Sequence, residues 1–178
     1  MKPVCLVLGA GAGIGGTVAT KFAQEGYHSS LCRRTDKEGL DRLVTNIEDQ
    51  GGSANGYIMN AIEDNAIEDV ITSIETDIGP IEVLVYNLGA QTGMKLLEQT
   101  SHKEFEWGWR MASFGLFRVA KVLCPLMVER GKGTFLVTSA TAAMRGNRNQ
   151  HSHAAAMGAR RMLCQSLNAE FSLQGIHV

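Results

Sequence analysis

The sequence has no block of one charge: 17 basic and 18 acidic side chains give a formal net charge of −1 and are spread over 178 residues. That balance removes the electrostatic footprint that nucleic acids and anionic membrane surfaces require. The four cysteines, Cys5, Cys32, Cys124 and Cys164, form no CxxC pair, and no histidine stands at metal-ligand spacing from them. No disulfide framework or metal site is expected, and the thiols read as free, buried groups of a reducing compartment. The first apolar run begins within a few residues of Met1, leaving no room for a signal peptide, and no apolar run is long enough to span a bilayer. Repeats, linkers and low-complexity stretches are missing as well. The expectation is one soluble, cytoplasmic domain over 1–178, large enough for a substantial core.

Glycine, by contrast, is concentrated in one place. Gly9-Ala10-Gly11-Ala12-Gly13-Ile14-Gly15-Gly16 follows the apolar run Val4-Cys5-Leu6-Val7-Leu8 and precedes the helical pattern Thr17 to Ala23. Strand, glycine turn and helix are the context of a dinucleotide phosphate site. Glycines let the backbone turn tightly and approach a pyrophosphate, whose charge then rests on the free N–H groups of the helix start. Two spacings fit, Gly11-x-Gly13-x-x-Gly16 and Gly9-x-x-x-Gly13-x-Gly15. The second is preferred because Gly9 directly follows the strand. Gly9, Gly11, Ala12, Gly13, Ile14 and Gly15 are therefore the first candidate cofactor-binding residues.

Apolar runs and helical patterns then alternate to the end of the chain. Ser29 to Cys32 reads as a short second strand, 36–50 as a polar helix, and Ala54 to Met59 as a less apolar third strand. Ile67, Val70, Ile71 and Ile74 fall at i, i+3, i+4, i+7, one buried helical stripe, which Gly79-Pro80 ends. Ile81 to Tyr86 is a nearly continuous apolar strand, as expected when both faces are covered. A long helix follows over roughly 101–129, with Pro125 kinking or shortening its last turn. Thr134 to Thr138 reads as the fifth strand, 152–173 as the last helix, and Ile176-His177-Val178 as the start of a sixth strand. Strands alternating with helices predict an α/β fold, a doubly wound parallel sheet of Rossmann-like type with right-handed crossovers. If the sheet stopped at the fifth strand, it would present an apolar edge.

With the glycine turn, the stretches "GPIEVLVYNLGA" at 79–90, "FGLFRVAKVLCPLM" at 114–127, "GTFLVTSATAAMRG" at 133–146 and "LNAEFSLQGIHV" at 167–178 resemble the short-chain dehydrogenase/reductase family over essentially the whole chain. The resemblance implies an oxidoreductase that transfers hydride between a nicotinamide and a carbonyl or alcohol. It also implies that the family pattern continues past residue 178 into a completed sixth strand, a segment covering the substrate and a final strand. Most substrate-setting residues belong to that portion, so the substrate stays unassigned.

For the cofactor, local chemistry and resemblance point the same way. Members using NAD usually end the second strand with an acidic residue that binds the ribose hydroxyls. Here that place holds Arg33, followed by Arg34, and both are suited to a 2′-phosphate. NADP is favoured over NAD, although Ala12 stands where many NADP members carry a basic residue. Asn60, followed by Ala61, occupies the place of an Asp that touches the adenine, and Asn can accept and donate there. Asn87-Leu88-Gly89 matches the family's Asn-Ala-Gly turn after the fourth strand.

The catalytic places read differently. The family's working set is an Asn on the long helix, a Ser after the fifth strand, and Tyr-x-x-x-Lys opening the last helix. The matched positions hold Ala112, Ala140 with Ser139 beside it, His153 and Met157. His153 is the one candidate proton donor, since imidazole titrates near neutral pH. A positioned acid–base group is worth roughly 10²–10⁴ in rate, so a carbonyl reductase of the usual kind is not expected without a substitute. The alternative is an inactive cofactor-binding sensor or assembly subunit. Resemblance also implies a homodimer or homotetramer built on helices 101–129 and 152–173, with Trp107, Trp109 and Phe114 apolar enough for such a surface.

Overall fold

The computed structural model describes residues 2–89 and 94–178. Six parallel strands form one sheet in the order β3-β2-β1-β4-β5-β6. They are β1 (Val4–Leu8), β2 (His28–Arg33), β3 (Ser53–Ile58), β4 (Ile81–Tyr86), β5 (Gly133–Val137) and β6 (Ile176–His177). The helices are α1 (Ile14–Gln24), α2 (Lys37–Asp49), α3 (Ala66–Asp77), α4 (His102–Trp109), α5 (Gly115–Arg130) and α6 (His151–Phe171). The α/β, doubly wound reading holds. The second strand is one residue longer at each end than its apolar run, because its polar ends pair with β1 and β3.

Side-chain alternation along β1 divides the core into two layers. Val4, Leu6 and Leu8 face α3, α5 and α6, where Ile67, Ile71, Ile74, Leu116, Leu123 and Leu167 are buried. Cys5 and Val7 face α1 and α2, packing with Ala19, Ala23, Leu40 and Ile47. The α3 stripe is thus the one its periodicity predicts, with Val70 packed at its margin. β3 is less apolar because it is an edge strand. Its Ser53 and Asn55 meet His28 at 2.7 and 2.9 Å, and Ser30 donates to Asn55 at 2.8 Å, a polar cross-strand ladder. β6 pairs with the first two residues of β5, Gly133 and Thr134.

The largest departure from the sequence pattern lies in the long helix. The periodicity predicts one plain helix over 101–129, but α4 and α5 are joined by a π-helical turn, Arg110–Phe114. In it the N–H of Gly115 donates to the carbonyl of Arg110. Two carbonyls of the widened turn face side chains instead: the Tyr86 hydroxyl donates to Met111 at 2.6 Å, and Arg160 donates to Ala112 at 2.9 Å. Gly115 permits this, because a β-carbon there would collide with the Tyr86 hydroxyl. Pro125 does not shorten α5, which runs on to Arg130. The combined rod, His102–Arg130, is long and apolar enough by length and composition to cross a membrane, contrary to the expectation from apolar runs. Its inward face is core: Leu116, Val119, Leu123 and Met127 have no exposed surface.

Three of the four thiols are buried and the fourth, Cys164, is half-buried. Burial pushes Cys5 and Cys32 each up to about 12. At pH 8 only about one thiol in 10⁴ would then be thiolate. Titration of the native protein with a thiol-reactive disulfide at pH 8 should leave Cys5 and Cys32 unlabelled, and denaturant should expose all four. Rapid native labelling of either would contradict the packing of β1 and β2.

Candidate functional site

In the strand order, β1 connects outward to β2 while β4 connects the other way to β5, so their carboxyl ends flank a crevice at the switch point. The glycine turn leaves β1 there and Asn87-Leu88-Gly89 leaves β4 beside it. The two turns touch. Asn87 Nδ2 donates to the carbonyl of Gly9 at 3.1 Å, and the Asn87 N–H donates to Leu8 at 2.9 Å. Gly9 has φ +92°, and a β-carbon would lie 2.8 Å from the Asn87 carbonyl oxygen. Gly15 is equally constrained, since its β-carbon would run into the carbonyl of Gly9. These contacts explain the glycines at 9 and 15; Gly16, of the alternative spacing, is constrained too, since its β-carbon would lie 2.5 Å from the Gly11 carbonyl oxygen.

Gly11 and Gly13 do the opposite: a β-carbon at either would meet nothing within 4 Å. They face open space at the start of α1. The N–H groups of Ala12, Gly13, Ile14 and Gly15 have no carbonyl partner among the described residues. Gly13 caps the helix with no side chain, and the first turn carries no acidic residue. Such a helix start is an anion site by construction, with donors and the positive end of the helix dipole aligned. Ile14 is 63% exposed beside it, an apolar side chain left on the rim.

A cavity of about 360 Å³ opens from this turn, lined by Gly9, Gly11, Arg33, Arg34, Leu88 and Gly89, with Trp107 and Met111 behind. The structure thus gathers the glycine turn, the arginines ending β2 and the turn after β4 on one wall. Asn60 and Ala61 lie next along, beyond β3, where the Met59 N–H donates to the Arg33 carbonyl at 2.7 Å. Asn60 Nδ2 donates to Glu63 at 3.0 Å, but its Oδ1 is buried and has no partner. A buried, unsatisfied acceptor is costly, and a ligand amino group would relieve it. The loop is pinned from α5: Arg118 donates to the Ala61 carbonyl at 2.8 Å while paired with Glu68. That pairing holds the Glu68 carboxyl below its ordinary pKa, chiefly through the hydrogen bond from Arg118.

At the other end of the crevice, the places matched to the family's Asn, Ser and Lys do come together. Ala112, Ala156 and Met157 form one buried cluster, with Ala140 and Ala143 packed against it. The cluster is entirely apolar. His153 is half-buried one turn before Met157 in α6. Ser139 is exposed and, with Ala140 and Thr141, lines a second cavity of about 530 Å³.

Sequence reasoning missed the residue that organises this end, Arg160. It is 1% exposed, and its guanidinium donates to the carbonyls of Ala112 at 2.9 Å, Thr138 at 2.9 Å and Leu88 at 2.6 Å. Its central carbon sits 5.2 Å from the centre of the Tyr86 ring. Burial lowers its pKa, yet an arginine stays charged, and the three carbonyls together with the ring face carry that charge. Burial also raises the Tyr86 pKa well above the ordinary phenol value, so its hydroxyl remains a donor to Met111. One signal was available: Arg160 continues the inward stripe of α6 marked by His153, Met157, Cys164 and Leu167.

A parallel doubly wound sheet with an open helix start at its switch point defines a nucleotide-binding fold. The chain belongs to the short chain dehydrogenase family, whose model matches residues 3–178. It is 31% identical over 152 residues to the 3-oxoacyl-[acyl-carrier-protein] reductase FabG of Thermotoga maritima, covering 85% of this chain and 61% of that protein's length. A gluconate 5-dehydrogenase from Burkholderia cenocepacia J2315, in complex with NADP and tartrate, superposes with a TM-score of 0.88. That match has 25% identity and covers 99% of this chain and 69% of the other. An NAD⁺-bound xylitol dehydrogenase gives a TM-score of 0.92 and 25% identity, over 99% of this chain and 67% of the other.

Replacing Arg160 with Met should cost about 3 kcal/mol or more, because three inward carbonyls lose their donors at once. Arg160→Lys should recover only part, since an ammonium cannot span the fork. Urea unfolding of the three proteins measures this. A loss below about 1 kcal/mol for the Met variant would show that the carbonyls find other partners.

Proposed function

We propose that this protein binds NADP(H) in the switch-point crevice and acts as an oxidoreductase, moving hydride between the nicotinamide and a carbonyl or alcohol of a small-molecule substrate. The observation that carries the reading is one cavity lined by Gly9 and Gly11 of the turn that leads into the open α1 start and by Arg33 and Arg34. The N–H groups of Ala12 to Gly15 would hold the pyrophosphate. Arg33 and Arg34 would meet the 2′-phosphate, and the orphaned Asn60 Oδ1 would accept from the adenine amine. NADP in the gluconate 5-dehydrogenase supports the choice, while NAD⁺ in the xylitol dehydrogenase shows that the same fold serves either. When bound, the dinucleotide supplies the hydride; the chain supplies position, dryness and a proton.

The proton is the unusual part of the reading. The apolar cluster of Ala112, Ala140 and Met157 offers no donor, so His153 is assigned the proton transfer. Without the hydroxyl and cation of the family's set, turnover should fall short of a standard member by about 10² or more. The same cluster favours the second reading, a cofactor-binding sensor or assembly subunit that keeps the crevice and lacks the chemistry. Two measurements decide. NADPH fluorescence titration should show binding, and a panel of carbonyls and alcohols should show slow turnover that His153→Phe abolishes. Binding without turnover across the panel selects the second reading. Failure to bind either dinucleotide ends both.

Assembly is proposed on the α4–α5 rod. Trp109 stacks on Phe114 with ring centres 5.2 Å apart, and Phe114 on Phe117 at 6.4 Å. Trp109 and Phe117 are nearly half exposed, so an aromatic strip faces outward. Trp107 is not part of it: two residues before Trp109 on a helix, it points inward and packs against the core. A homodimer or homotetramer would cover the strip, in a soluble cytoplasmic protein. Phe117→Asp should shift the light-scattering mass to that of a monomer while leaving NADPH binding intact. A wild-type monomer at micromolar concentration would refute the assembly.

A further inference from the structure

Arg33 is not idle in the structure. Its guanidinium Nη2 lies 2.9 Å from Asp36 Oδ2, with only 18% of the Arg33 side chain exposed. Asp36 is held from the other side as well. Its Oδ1 accepts from the Gly39 N–H at 2.9 Å, and its backbone takes the left-handed conformation, φ 59°. A β-carbon at position 39 would collide with both the Asp36 carboxylate and the Arg33 guanidinium. Carboxylate, guanidinium and the first turn of α2 are therefore interlocked.

The pair also occupies a boundary. Arg33 and Asp36 line the cavity that opens from the glycine turn. They line equally a neighbouring cavity of about 350 Å³ whose other walls include Ala12, Gly39, Arg42 and Asn46. Arg42, which lies 3.7 Å from Glu38 with both side chains exposed, brings a second cation to the side where Ala12 brings none. A phosphate on the ribose would sit at this boundary and would need Arg33.

We propose that Asp36 sets the strength of the NADP preference by competing with the 2′-phosphate for Arg33. This rests on the reading that the crevice binds a dinucleotide. The carboxylate occupies the guanidinium edge a phosphate would use, and its own negative charge opposes a dianion entering beside it. A ribose bearing only hydroxyls leaves the ion pair in place and meets no such opposition. Asp36 thus lowers affinity for NADPH and spares that for NADH.

Asp36→Asn isolates the effect, because Asn is as good a helix cap and tolerates the left-handed backbone, so the α2 start is preserved. Asp36→Ser, another good cap, controls for side effects of the amide. Fluorescence titrations of wild type, Asp36→Asn, Asp36→Ser, Arg33→Met and the Asp36→Asn/Arg33→Met double variant with NADPH and NADH provide the readout. Both Asp36 variants should bind NADPH about tenfold more tightly and NADH within twofold of wild type. Arg33→Met should weaken NADPH and erase the gain from Asp36→Asn, the non-additivity expected of groups in contact. An unchanged NADPH affinity in both Asp36 variants, or an equal gain for NADH, overturns the competition while the cofactor reading stands. NADPH binding that ignores Arg33→Met overturns it too. If wild type binds neither dinucleotide, the cofactor reading itself fails.

Discussion

Everything at the glycine-turn end of this molecule depends on one close approach of backbone to backbone. The turn after β1 and the turn after β4 sit so near each other that no β-carbon fits between Gly9 and the Asn87 carbonyl. Asn87 then closes the seam by donating to Gly9. With Gly15 packed on the Gly9 carbonyl, the path of the chain from strand to helix has little freedom left. The open donors of α1 are consequently aimed by the sheet, without help from a cap or an acidic side chain. Rigid elements carrying an unsatisfied helix start are what an anion site requires, and the paired turns hold the start in place.

A second constraint works at the opposite end of the crevice and uses charge where the first uses space. Arg160 collects carbonyls from the ends of β4 and β5 and from the π turn. No carboxylate partner of this guanidinium is found among the described residues. The charge is dispersed over carbonyl dipoles and the Tyr86 ring, which ties three chain segments at one point. On one side of that point lies the apolar cluster of Ala112, Ala156 and Met157; on the other, Ser139 and Thr141 line a cavity with Arg160.

Legibility in the sequence followed how local each cause was. The glycine turn, the α3 stripe and the alternation of elements arise from contiguous residues, and their spacings expose them directly. The apolar cluster at the catalytic places was legible only through resemblance, because 112, 140 and 157 meet by folding. Arg160 was hidden for a stronger reason. A charged residue reads as solvent-facing unless its partners are known, and these partners are carbonyls at 88, 112 and 138, which have no side-chain signature. The Arg33–Asp36 pair could have been found, since an acidic residue directly before a helix start is a cap signal and lies three residues from Arg33. Asn60 Oδ1 could not, because an orphaned acceptor is a property of packing.

The π turn at Arg110–Phe114 has a consequence for the geometry of the long rod. Each residue of an α-helix advances the side-chain direction by about 100°, and a widened turn inserts one extra step into that rotation. The two halves of the rod are therefore out of phase. α4 packs Trp107 against the margin of the core, where it also lines the crevice, while α5 turns Leu116 and Leu123 to the sheet and Phe117 to solvent. Loss of a single residue between 111 and 113 would remove the offset and swing one half by about 100° against the other. The extra residue works as a phase shifter: it lets one continuous helix bring Trp107 and Met111 to the crevice margin while Leu116 and Leu123 still face the core.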